Sequence, residues 1–321
     1  MFQHLSSLGA WMDLSISIIA YNRIDNIAKC ITSIQEHTTG VSYEVIIVAY
    51  RFGPENLSTL RSMFPTARIK ESNEIRGFAE NQNLALRSAT GRYCLILNDD
   101  TFVIDNMIAT LIKTLDALPG AGLVSPLLLN PDLTVQQSGR GRYRLLNWFL
   151  PDKRGGSDPR ATATGIEGVF RTAAVSGSCF MARRETLADI GFFCEDYFFC
   201  PEDYALSIEA EKKGYGIYLN KAARIVHQHG AASVPIYDII WPVALQGGFL
   251  FVGRHYNRAV EMIIRSLTFM KNLAMCLVLL SRRRKDKEIW LKACKNAMRY
   301  GFSSLPPKEL FERLARERGI L

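Results

Sequence analysis

A chain of 321 residues, 48% hydrophobic and 22% charged, can bury one large core and is neither disordered nor fibrous in composition. Its formal net charge of +8 is concentrated: residues 235–321 hold 16 Lys and Arg against 7 Asp and Glu, leaving about −1 on everything before them. The near-neutral body argues against nucleic acid as a partner, while the basic tail suits an anionic surface such as a membrane leaflet.

Seven cysteines (Cys30, Cys94, Cys179, Cys194, Cys200, Cys276, Cys294) are scattered without a CxxC spacing, which fits buried thiols in a reducing compartment. No apolar run follows a basic start, so no signal peptide is expected and a cytoplasmic protein is the reading.

The first half alternates between strand and helix patterns. "LSISIIA" (Leu14–Ala20) reads as a short buried strand ended by "YNR". In "IDNIAKCITSIQEH" the residues Ile24, Ile27, Ala28, Ile31 and Ile34 form one helical stripe. "YEVIIVA" (Tyr43–Ala49) is the next strand, "ENLSTLRSMF" a short helix and "ARIKE" a weak strand. A helix opening after Gly77 leads to the continuous apolar strand "YCLIL", and "IDNMIATLIKTLDAL" is a helix with Asp105 near its start. Apolar strands separated by helices imply an α/β fold, a Rossmann-like, mostly parallel sheet covered on both faces. Ligands bind such sheets beyond the carboxyl ends of the strands, where Asn98, Asp99 and Asp100 stand.

From about Asn130 to Phe170 the chain is rich in Gly, Arg, Ser and Pro ("SGRGRYR", "PDKRGGSDPR") and reads as a long excursion. A second regular block follows. "VSGSCFMA" is a strand, "RETLADIG" a helix closed by Gly191, and "PEDYALSIEAEKKG" a helix closed by Gly214. "YGIYL" and "ARIVHQH" are two short strands, the latter ending on His227 and His229. Beyond Pro235, "IYDIIWPVALQGGFLFV" is apolar but broken by Pro242 and a glycine pair. "SLTFMKNLAMCLVLLSRRRKDK" is interrupted by Lys271 and capped by a basic cluster. It reads as an interfacial helix or, equally, as part of a packed helical subdomain with a solvated basic face.

Adjacent carboxylates at a strand end want either solvent, as in a turn, or a hard divalent cation. Glu202 and Asp203 open a helix, where the dipole favours carboxylates in any case. A histidine near two aspartates is a further candidate ligand, and imidazole with carboxylate favours manganese over magnesium.

Taken together, "SIIAYNR", "EVIIVA", "NEIRGFAENQNLAL", "LILNDDT", "VSGSCFMARRETLADIGFFCEDYFF", "PEDYALS" and "IVHQHGAAS" resemble a family-two glycosyltransferase of the GT-A fold, rhamnosyltransferase-like branch. The resemblance covers residues 13–234, implying a catalytic domain over 1–234 and a basic, partly apolar helical region over 235–321. "NDD" stands where the family has its DxD motif, with Asn98 at the first position. By that resemblance Asp100 ligates Mn2+ or Mg2+ on the diphosphate of a nucleotide-sugar, Asp99 assists with metal or sugar, and His227 completes the metal site. Asp203 stands for the general base on the acceptor hydroxyl. Ala20, Tyr21, Asn22 and Arg23 fall on the first nucleotide-binding loop, and Gly77, Phe78 and Asn83 on the helix start facing the donor.

These positions imply inverting sugar transfer, a deoxyhexose such as rhamnose being favoured. The donor would be a dTDP- or UDP-sugar, and the acceptor a glycan or a lipid-linked oligosaccharide at the inner face of a membrane. Where the family has an Asp after the second strand, this chain has Ala49, Tyr50 and Arg51, so the base is expected to stack on Tyr50 or Tyr21. Gln82 replaces an arginine, Cys194 an aspartate, and Ala205 the second Asp of an EDxD pattern. The competing classes are a nucleotidyltransferase, which should carry a Gly-rich first loop with a lysine, and a catalytically weakened glycan-binding homologue.

Overall fold

The computed structural model describes residues 12–136, 138–141, 159–163, 168–228, 236–281 and 287–321. β1 (Leu14–Tyr21), α1 (Ile24–His37), β2 (Tyr43–Tyr50), α2 (Pro54–Met63), β3 (Arg68–Ser72), α3 (Phe78–Leu86) and β4 (Tyr93–Asn98) follow the expected alternation. Next come β5 (Thr101–Val103), α4 (Met107–Ala117), β6 (Ala121–Leu129), the one-turn α5 (Pro159–Thr162) and β7 (Val169–Arg171). β8 (Cys179–Arg183), α6 (Arg184–Asp189), α7 (Glu202–Lys212) and β9 (Gly216–His227) complete the sheet and its cover. The sheet order is β3-β2-β1-β4-β8-β6-β9-β5, with β7 on β9. β3, β2, β1, β4, β6 and β9 run one way, while β8, β5 and β7 run antiparallel to their neighbours.

The strands are apolar throughout because both faces are covered. On β4, Tyr93, Leu95 and Leu97 pack toward Ile27 and Ile31 of α1 and Leu111 of α4. The intervening Cys94 and Ile96 pack toward Leu86 of α3 and Leu206 of α7. Alternation puts successive side chains on opposite faces, so a doubly covered strand loses its polar positions.

Several elements depart from the sequence reading. β6, buried along its whole length, has no counterpart in the sequence reading. The two expected strands after Gly214 are one, β9. Its register against β6 jumps between Pro126↔Asn220 and Leu127↔Arg224, so an irregularity at Asn220–Ala223 looked like a gap. "VSGSCFMA" is a strand only from Cys179, the preceding Ser176–Ser178 forming a loop.

α8 (Tyr237–His255), α9 (Arg258–Ser281), α10 (Lys287–Tyr300) and α11 (Pro307–Glu317) form the C-terminal part. α8 is continuous through both expected breakers. Pro242 cannot donate to the Asp238 carbonyl, and Asn296 Nδ2 of α10 takes that acceptor at 3.0 Å. Gly247 lies where a Cβ would stand 2.2 Å from the Cys200 carbonyl oxygen, so its role is close approach. Ile239, Val243, Leu310 and Leu314 close around Phe198, tying α8 and α11 to the segment that precedes α7. The expected boundary at residue 234 lies outside the described residues.

Candidate active site

The strand directions bring four carboxyl ends to one edge. Tyr21 of β1 and Tyr50 of β2 are register partners, their rings 5.5 Å apart between centroids and tilted. Tyr21 is exposed and Tyr50 half-buried, its hydroxyl accepting from the Arg76 backbone N–H at 3.3 Å. Asn98 ends β4 beside Ile19 of β1, which sets Asp99 and Asp100 next to the first loop. The Tyr21 backbone N–H and the Arg23 charge both favour the ionised Asp99 carboxylate. Burial, then the neighbouring Asp100 charge, pushes the Asp99 carboxyl up to about 6 despite that help.

His227 arrives because β9 ends at the same edge, with Thr101↔His227 as a pair on β5. Its Nε2 is 3.3 Å from Asp100 Oδ1, without the alignment of a hydrogen bond. On the other side of the ring, Nδ1 lies 2.7 Å from Gln136 Oε1. The Gln136 amide is itself oriented, its Nε2 donating to Asn130 Oδ1 and the His227 carbonyl. An amide oxygen accepts only, so Nδ1 donates to it and Nε2 is the nitrogen turned toward Asp100.

The second carboxylate group is built at the start of α7. Asp203 is buried, and three donors hold it: the Gly177 N–H to Oδ2 (3.1 Å), the Tyr204 N–H to Oδ1 (2.8 Å), and Arg140 Nη2 at 3.2 Å from Oδ2. Arg140 also lies over the Tyr204 ring, 5.1 Å from its centroid. Beside it, Glu202 is buried with Oε2 unpartnered, and burial followed by the Asp203 charge raises its pKa. The loop Ser176–Ser178 joins the two groups. Gly177 holds Asp203, and the Ser178 carbonyl accepts the Asn98 N–H at 3.0 Å. The Phe78 ring and Asp203 Oδ2 both lie 3.7 Å from where a Cβ of the same glycine would stand.

Other expected residues stand elsewhere. Asn83 is fully buried and grips Phe193, donating to its carbonyl (2.9 Å) and accepting its N–H (3.1 Å), with a third bond to Glu195. Its polar groups are spent on that loop and none is turned to the strand edge. Asn22 Oδ1 accepts from Gly53 N–H and Asn56 Nδ2, tying the first loop to α2. Gly77 packs under the Phe198 carbonyl, which a Cβ would meet at 2.4 Å, and Ala20 is core. His229 lies outside the described residues, as does most of the 130–170 excursion. Ala205 lies in an apolar cluster with Tyr197 and Phe251, so the missing aspartate would have been buried there.

The sequence reading missed Arg140 and Gln136. Both sit in a stretch read only as irregular, and nothing local signals their partners.

Among the described residues, no group of three or more His, Cys, Asp or Glu could enclose a metal alone. What is present is a pair of buried carboxylate oxygens without a hydrogen-bond partner, Asp99 Oδ2 and Asp100 Oδ1, with His227 Nε2 3.3 Å from the second. Such a set fits a hard divalent cation that completes its shell with a ligand's oxygens.

A family model described as "Glycosyl transferase family 2" matches residues 15–191, more than half of the chain. The O-antigen biosynthesis protein RfbC of Myxococcus xanthus is 25% identical over 68% of this chain and 17% of its own length. An N-acetylglucosaminyl-diphospho-decaprenol L-rhamnosyltransferase of Mycobacterium tuberculosis is 27% identical over 42% of this chain and 46% of its own. The chain therefore spans under half of the length of either relative. Among solved structures, the mannosyltransferase PcManGT from Pyrobaculum calidifontis, in complex with GDP-Man and Mn2+, superposes with a TM-score of 0.54. That match has 18% identity and covers 96% of this chain and 80% of that one. GalNAc-T7 with UDP, GalNAc and Mn2+ gives a TM-score of 0.57 at 14% identity, over 69% of this chain and 44% of that one. These likenesses show the fold.

Proposed function

Because the chain belongs to glycosyl transferase family 2 and has the GT-A fold, we propose an inverting transfer of a sugar from a nucleoside-diphosphate donor to an acceptor hydroxyl. The sugar is a deoxyhexose such as rhamnose, and the donor a dTDP- or UDP-sugar. The acceptor is a glycan or a lipid-linked oligosaccharide in surface polysaccharide synthesis, met at the inner face of the cell membrane. The names of the two relatives support the sugar and the acceptor class. The observation that carries the chemistry is the joining of two carboxylate groups, Asp99–Asp100 and Glu202–Asp203, through one loop, Ser176–Ser178.

In this reading Tyr21 and Tyr50 offer their paired rings to the nucleobase, and Asp100 with His227 would hold Mn2+ or Mg2+ at the diphosphate. When bound, the cation would neutralise the charge that develops on the leaving group. Asp203 takes the proton of the acceptor hydroxyl as that oxygen attacks the anomeric carbon from the face opposite the diphosphate. The Gly177 and Tyr204 N–H groups and Arg140 fix its two oxygens, so that the carboxylate meets the hydroxyl in one orientation. No covalent nucleophile is required.

Thermal shift against dTDP-, UDP- and GDP-sugars with Mn2+ tests the donor class, since a ligand stabilises the fold according to its affinity. Asp100→Ala and Asp203→Asn should each abolish Mn2+-dependent donor turnover. Full activity in Asp203→Asn would remove the base assignment. Absence of stabilisation by every nucleotide-sugar would remove the donor reading.

A further inference from the structure

α9 is apolar on two sides. Over its 24 residues it buries Ile264, Cys276 and Leu279 together with Glu261, Arg265, Thr268 and Asn272 against the neighbouring helices. On the opposite side it exposes Met262, Ile263, Leu267, Met270, Leu273 and Leu277, with Ile263 and Leu277 at 58% and 63% of full exposure. Their spacing of three and four keeps them on one face, about 25 Å long at 1.5 Å per residue. A soluble helix places its apolar stripe inward, so this orientation needs a cause.

The orientation is locked by polar bonds. Arg265 Nε donates to Glu261 Oε1 at 2.8 Å, and Arg265 Nη1 to the Gly301 carbonyl at 2.5 Å. Trp241 Nε1 of α8 donates to Asn272 Oδ1 at 3.0 Å. Turning α9 to hide its leucines would break the bonds to Gly301 and Trp241 and strand their buried partners. The patch continues through Phe269 to Phe302, whose ring is half exposed and 6.1 Å away.

We propose that the exposed face of α9 is a membrane-docking surface that lies in the headgroup and acyl boundary of an anionic lipid leaflet. The occupant follows from charge. Residues 235–321 carry +9, so a second copy would bring two such tails together, whereas an anionic leaflet complements them. α9 is the one described helix with the length and composition of a membrane span. Its polar side and its ties to α8 and to Gly301 set it flat on the leaflet instead of across it. The inference deepens the membrane part of the proposed function and rests on it for a lipid-linked acceptor. It is scored without turnover, so either can fail alone.

The test is flotation of the full chain with vesicles of 30% phosphatidylglycerol in phosphatidylcholine. The comparison is Ile263→Gln/Leu267→Gln/Leu277→Gln, which keeps charge and helix propensity. The wild type should float and the triple variant should partition at least tenfold less, at equal melting temperature in vesicle-free buffer. Equal flotation of the two proteins would overturn the proposal. So would a wild type that stays at the bottom as a dimer which the variant splits, since that assigns the face to a second copy.

Discussion

Arg140 Nη2 stands 3.2 Å from Asp203 Oδ2, and its guanidinium lies over the ring of Tyr204, the next residue on α7. The carboxylate proposed as base is thus held by a cation from a part of the chain with no catalytic signature. A charge-assisted bond of this kind is worth about 1.5–3 kcal/mol. Arg140→Met should lower kcat by roughly ten- to a hundredfold. A kcat equal to the wild type's at equal melting temperature would show that Arg140 does not act on the base.

Gln136 orients His227 toward Asp100. Replacing such an outer partner typically costs about 10- to 100-fold in metal affinity. Gln136→Ala should weaken Mn2+ binding by that factor, and Asp100→Ala should remove it. Titration of free Mn2+ against the protein reads both, and unchanged affinity in Gln136→Ala would sink the tautomer argument.

Asn83 separates a structural role from a donor contact. Asn83→Ala strands the Phe193 N–H and carbonyl inside the protein. Unpaired buried groups cost about 1–3 kcal/mol each, so a fall in melting temperature of several degrees is expected with donor KM within twofold of wild type. A raised KM at unchanged melting temperature would return Asn83 to the donor site.

Glu44 supplies a pH test remote from the site. Burial alone would raise its pKa, but hydrogen bonds from Ser15 (2.6 Å), Arg68 (2.6 Å) and Thr90 outweigh it and bring the carboxyl down to about 2. The folded value lies below the unfolded one, so the stabilisation is present above about pH 4.5 and is lost as pH falls toward 2. With screening at the partly exposed Arg68, Glu44→Gln should cost on the order of 1–2 kcal/mol at pH 7. Its melting temperature should then fall less steeply than the wild type's between pH 5 and 3. Parallel curves would count against the linkage.

Much of the fold was legible because its signals are local. The stripe Ile27, Ile31, Ile34 and the run Leu95–Leu97 state helix and buried strand within a dozen residues. Gly214, with φ of +88°, closes α7 where an L residue would be strained. Where Pro242 and the glycine pair are read as breaks, in α8, the structure differs because what accommodates them comes from elsewhere in the chain. For Pro242 it is Asn296, and for Gly247 it is Cys200.

The sequence by itself determined that carboxylates end β4 and open α7, since those positions follow from periodicity and from helix-start chemistry. Only the tertiary structure decided what meets them. Gln136 and His227 are 91 residues apart and touch because the chain after β6 turns back onto Leu128, beside the end of β9. Arg140 reaches Asp203 because its backbone pairs with Ala174, just before the Ser176–Ser178 loop. Likewise, composition made α9 amphipathic, but only packing chose which side faces out. The cause is the same in each case: local periodicity fixes which residues share a face, and contacts between distant segments fix what that face meets.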